Sequence, residues 1–220
     1  MDEIRPGYAA PVEEDGTDTT YVSLAQAVSD HNAAAKPREK YWGILIENSV
    51  YTVYEYGEVP QPPTEAEQLE TLRAEKLKAA SDACEQTICA GIDVTFSDGT
   101  QEHFSLQPND QTNIDGIFSA VTLGVTSYPY HADGELCKMY SASDIVKLYV
   151  VAKGHVTQQT TYNNALRQWI KRETSLDTLN DISYGSELPD DLKADVANIL
   201  QKAQAQVETI VAKLTSIVSE

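Results

Sequence analysis

The stretch SYPYHADGELCKMYSASDI, residues 127–145, sets His131, Asp133, Glu135 and Cys137 at alternate positions. On one straight strand all four would share a face, because strand side chains alternate with period two. Imidazole, two carboxylates and a thiol on one face would be metal chemistry. The spacing matches no zinc signature, however, and Asp133-Gly134 is a strong turn signal that bends the chain between the candidates. The expected structure is a loop, then a short strand ELCKMY with Leu136 and Met139 buried, then Ser141 capping a helix.

Other reactive groups are dispersed. His103, Asp144, His155 and Glu173 could form an acid–base pair only if the fold assembled them in space, and no nucleophile has a base nearby in sequence. The acidic segments DVTFSDGT and NDQTNIDG lack the ligand pattern of a twelve-residue calcium loop. No glycine-rich loop precedes the helix expected over residues 64–90, so no phosphate cradle is implied. The residues therefore lead to a protein that is not an enzyme, with no catalytic, cofactor-binding or metal residues and no cofactor.

Composition narrows the partners. Among 220 residues, 34 are acidic and 16 basic, a net charge of −18 that repels phosphate backbones and anionic lipid and excludes nucleic acid as partner. Twelve tyrosines stand against three Phe and two Trp, so much of the aromatic surface carries a hydroxyl and suits half-wet contact surfaces. No apolar run approaches the ~20 residues of a membrane span, and MDEIRPGYAAPVEEDG resembles neither a secretory signal nor a transit peptide. Cys84, Cys89 and Cys137 form no CxxC pair and are expected to be reduced. Synthesis and residence in the cytosol follow, unless a larger particle carries the protein out.

The elements divide the chain into four parts. Residues 1–22 read as an extended arm. Residues 23–63 begin with a helix, SLAQAVSDHNAAAK, N-capped by Ser23, with Leu24, Ala27, Val28 and Ala35 on one side and Pro37 as its stop. The tyrosine-rich hairpin YWGILIENSVYTVYEYGE follows, and Tyr41, Trp42, Tyr51, Tyr54 and Tyr56 are its candidate partner-binding residues. EVPQPP, residues 58–63, is a stiff linker and the domain boundary.

Residues 64–187 form a mostly helical domain. Thr64-x-x-Glu67 opens a long helix with Leu69, Leu72, Leu77, Ala80, Cys84 and Ile88 as its buried stripe, stopped by Gly91. A small hairpin turns at Ser97-Asp98-Gly99, a helix capped by Asn109 or Asp110 follows, and a central helix runs from Ser141 or Ser143 to about Glu173. Residues 188–220 form a C-terminal helix in which Val196, Leu200, Ala203, Val207, Ile210, Leu214 and Ile217 repeat in steps of four and three. That seam serves either self-association or docking on the chain's own domain. The fold class is α+β: a mostly helical domain with a small β-hairpin, an N-terminal arm and hairpin unit, and a long C-terminal helix.

The block running from ICAGIDV through FSLQPNDQTNI, HADGELCKMYSASDI and KGHVTQQTTYNNALRQWI, within residues 73–172, resembles a domain family of unknown function from bacteriophage and prophage tail regions. Its members are encoded among tail-fibre, baseplate and fibre-assembly proteins. The resemblance implies a structural role for HADGELCKMYSASDI and a non-enzymatic virion component of the tail or baseplate near the fibres, made in the host cytoplasm. It implies other tail, baseplate or fibre proteins as partners, and a homo-oligomer or several copies per particle. The alternatives are a fibre-assembly chaperone absent from the mature virion, a small hydrolase at the tail, for which no nucleophile with a nearby base is seen, and a module that binds the host receptor.

Overall fold

The computed structural model describes residues 4–12 and 19–218, with side chains to Lys213, and divides the chain into two compact units, Met1–Glu65 and Ala66–Glu220. The boundary falls just after EVPQPP, where prolines deny both a ladder and a helix. The fold is α+β, with small antiparallel sheets, long helices and a long C-terminal helix.

In the first unit, β1 (Ala9–Pro11), α1 (Thr19–Ala34), β2 (Tyr41–Glu47) and β3 (Val50–Tyr56) build a three-stranded antiparallel sheet in the order β1-β3-β2. Asn48 and Ser49, with φ of 51° and 58°, form the left-handed two-residue turn that matches strand twist. Leu24 of α1 packs on Tyr51 and Val53 of β3, and Ile4, Tyr8, Val12, Val28, Trp42 and Ile44 complete this small core. Two expectations are corrected. The arm of residues 1–22 supplies an edge strand to its own hairpin and the first turn of α1. Ser23 lies inside that helix, its hydroxyl donating to Thr19 O at 2.9 Å, so it is no cap.

The outer edge of β2 is partly occupied. Asn32 accepts from Trp42 N at 2.7 Å and donates to Trp42 O at 2.9 Å, and the His31 ring stacks on the Trp42 ring at 3.8 Å. Val53, opposite Ile44, spends its N–H and C=O on Tyr8 and Gly7. The polar groups of Ile44, and by alternation those of Ile46, therefore point along the outer edge of β2.

The second unit contains α2 (Glu65–Cys89), β4 (Ile92–Thr95), β5 (Gln101–Phe104), α3 (Pro108–Thr122), β6 (Ser127–Tyr130), β7 (Lys138–Ser141), α4 (Ala142–Arg172), α5 (Leu176–Asp181) and α6 (Asp190–Val218). The pairs β4-β5 and β6-β7 are separate antiparallel hairpins. α4 runs through two cores. Its N-terminal half (Ile145, Leu148, Ala152) packs with Cys84, Ile88, Val94, Phe104, Leu106 and Ile114, and its C-terminal half (Ala165, Leu166, Ile170) with Ala80, Leu179, Ile182, Leu188 and Leu192. The C-terminal helix thus belongs to this unit through Leu192.

Local chemistry sets the ends. Ser141 caps α4, accepting from Asp144 N at 3.2 Å. α3 starts at Pro108 with Gln107 as cap, not Asn109 or Asp110, because Pro pre-sets the first helical φ and Asp110 accepts from Gln107 N at 3.1 Å. The expected strand ELCKMY shortens to Lys138–Ser141, with Leu136 89% and Met139 62% exposed. Leu136 falls outside the strand, and of the neighbours Met139 and Tyr140 alternation allows one inside, the place that Tyr140 takes.

Candidate functional site

The fold separates His131, Asp133, Glu135 and Cys137. Asp133 accepts from Ser105 N at 3.0 Å and Ser105 Oγ at 3.1 Å, and its own N–H donates to His103 O. It therefore ties the turn to β5. His131 Nδ1 lies 3.2 Å from Ala132 O, Glu135 N donates to Ala132 O, and Cys137 is exposed. Among the described residues no three His, Cys, Asp or Glu side chains are arranged to hold a metal. The other candidates serve helix ends and packing. Asp144 accepts from Ser141 Oγ at 2.6 Å, Glu173 Oε1 accepts from Thr174 N and Ser175 N, and His155 Nε2 lies 3.2 Å from Thr87 O.

His103 has partners at both ring nitrogens: Asp93 Oδ1 is 2.8 Å from Nδ1 and Ala90 O is 2.9 Å from Nε2. Two acceptors favour the doubly protonated ring, so the Asp93 hydrogen bond first, then the Ala90 carbonyl, raise its pKa above the ordinary histidine value. A raised folded-state pKa stabilises the fold fully below the unfolded value, and that contribution fades as pH rises through the folded one. Urea midpoints should therefore fall between neutral and mildly alkaline pH, and His103→Gln should flatten that slope. An unchanged slope in the variant would remove His103 from the account.

A second cluster joins the two hairpins. Glu102 accepts from Lys138 Nζ and, at 2.5 Å, from Tyr140 Oη. Burial and this bond push the Tyr140 hydroxyl well above its usual range, and burial pushes Tyr130 up to about 12. Both tyrosines stay protonated: Tyr140 donates to Glu102, and Tyr130 packs its ring on Phe104.

Two surfaces suit binding. On the sheet of the first unit, Tyr51 turns inward and is buried, and Trp42 shares that inner face, half-buried. Tyr41, Tyr54 and Tyr56 lie on the outer face, with Tyr41–Tyr56 and Tyr54–Tyr56 ring centroids 5.9 Å apart. The Tyr54 ring covers Gly43, where a Cβ would meet it at 2.8 Å. Leu45 extends this aromatic face toward the hairpin tip.

The second surface is the junction of α4 and α6. Arg172 grips Asp191 through two bonds of 2.5 and 2.8 Å, which holds the Asp191 carboxyl down at about 2. From there Val196 packs on the second core. Leu200, Ala203 and Val207 line a cleft of about 450 Å³ with Val150, Lys153, Gly154 and Thr157 of α4. These three seam positions are thus half-buried beside α4. Ile210 is exposed, and Leu214 and Ile217 lie outside the described side chains. Sequence reasoning missed Ile199, which is half exposed and one position off the seam; its only signal is the eleven-residue, three-turn spacing to Ile210.

No curated protein and no solved structure matches the chain. Residues 71–184, more than half of the chain and spanning from α2 to the loop before α6, match a family model. The segments ICAGIDV, FSLQPNDQTNI, HADGELCKMYSASDI and KGHVTQQTTYNNALRQWI lie inside this match, and they contribute to the cores shared by α4. By that match the chain belongs to the family described as a domain of unknown function (DUF4376).

Proposed function

We propose that this protein is a non-enzymatic component of a bacteriophage tail or baseplate, placed near the fibres and working through protein–protein contacts. The observation that supports this reading best is the outer face of the first unit's sheet, where Tyr41, Tyr54, Tyr56 and Leu45 lie side by side. Tyrosines give large amphipathic contact area at small entropic cost, which suits docking to a neighbouring tail protein. Its tail setting rests on the resemblance carried by FSLQPNDQTNI, HADGELCKMYSASDI and KGHVTQQTTYNNALRQWI.

Quantitative mass spectrometry of purified particles, counted against the major tail protein, tests the proposal. A fixed ratio that survives a salt wash is the expected result. Absence from particles with abundance in the infected lysate would replace it with the assembly chaperone.

A further inference from the structure

α6 carries two apolar stripes on adjacent faces. Leu192, Val196, Leu200 and Val207 turn toward the second core and α4. The neighbouring ridge holds Ile199 and Ile210, 50% and 43% exposed, with Ala203 and Gln206 between them at steps of four, three and four. At 3.6 residues per turn these four residues share a face, flanked on one side by Asp195 and Lys213.

Charge is unevenly distributed along this helix. Its first two turns hold Asp190, Asp191 and Asp195 against Lys193, whereas Lys202 and Lys213 outweigh Glu208 further on. In a parallel pair of such helices acid would lie on acid. In an antiparallel pair the acidic end of each meets the basic half of the other, and the helix dipoles oppose.

We propose that a second copy of this chain docks on this ridge, α6 against α6, antiparallel about a two-fold axis passing between Gln204 and Ala205. That register sets Ile199 of each copy against Ile210 of the other and Ala203 against Gln206. It brings Asp195 beside Lys213 twice, once on each side of the axis. Each contact occurs in duplicate because the interface is isologous. The small Ala203 lets the helix axes approach.

The register also gives an occupant to the second cleft between α4 and α6. This cleft, of about 440 Å³, is lined by Thr161, Asn164 and Gln168 of α4 and by Asp195, Val196 and Ile199 of α6. It lies level with the last turns of the second copy's α6, so Ile210 and Lys213 of that copy reach its rim. This dimer does not depend on the tail reading.

Sedimentation velocity of the full chain over a wide concentration range tests the dimer. A concentration-dependent dimer is expected, which Ile199→Asp abolishes. Asp195→Lys and Lys213→Glu singly should each weaken it by about tenfold or more, since each reversal creates two repulsive pairs. Combined, the two reversals should restore it. Far-UV circular dichroism and urea midpoints matching the parent would show that the variants remain folded. A monomer at every concentration overturns the proposal, and so does a dimer that the single reversals leave intact or the double reversal fails to restore.

Discussion

Gly91→Ala is expected to destabilise the second unit by about 3 kcal/mol or more, read as a fall in urea midpoint at constant slope. Gly91 ends α2 with φ of +91°, the left-handed conformation in which its N–H donates to Ile88 O at 3.0 Å. An added Cβ would sit 2.2 Å from Phe104 O and 2.7 Å from Ser105 Cα. Both obstacles are backbone, so no side-chain rotation relieves them, and the β4-β5 hairpin must move off the end of α2. That movement opens the core where Ile88, Ile92 and Phe104 meet. Gly154 is the control. It lies inside α4 with open space around the position of a Cβ, and alanine there should stabilise by up to about 1 kcal/mol. Equal midpoints for the two variants would show that helix propensity, not the close approach, governs these sites.

Phe104→Ala should cost about 3–5 kcal/mol, the range for emptying a buried aromatic site. Phe104 is 2% exposed, stacks on Tyr130 at 6.2 Å, and meets Phe96 and Tyr140 edge-on at 6.1 and 6.2 Å. One ring thus anchors both hairpins of the second unit. Its removal should also bleach the near-ultraviolet dichroism of the tyrosines packed on it. Phe104→Leu, which refills much of the volume, should recover more than half of the loss. A loss below about 1 kcal/mol for alanine would mean that the aromatic cluster collapses without penalty.

The elements that the sequence made legible are those whose signals are local. Asn48-Ser49 announced a turn, Gly91 a helix end, Ser141 a cap, and EVPQPP a boundary, and each acts through its own backbone preference. What remained hidden depended on distant neighbours. α1 begins a turn before Ser23, where the Tyr21 ring lies 5.5 Å from that of Tyr51 in β3. The phase of β7 was decided by Tyr140, whose hydroxyl reaches Glu102 on the other hairpin, rather than by its neighbour Met139, and Leu136 lies outside the strand. The heptad steps of α6 marked Val196, Leu200 and Val207, which the second core and α4 partly cover, and also Ile210, which is exposed. Alternation sets Tyr54 and Tyr56 on one face and Tyr51 on the other, but that Tyr41 joins the first face and that Tyr51 turns inward depended on the register and on α1.

The amide of Asn32 gives the first unit's sheet a ruler. A foreign strand laid along β2 finds Trp42 already engaged, so a new ladder can begin only beyond Gly43. It can zip onto Ile44 and Ile46 before the Asn48-Ser49 turn ends the strand. At the opposite edge the three-residue β1 finishes at Pro11, which has no N–H to offer. Such a sheet can accept one short graft, yet it resists the runaway stacking that turns an apolar edge into a fibre.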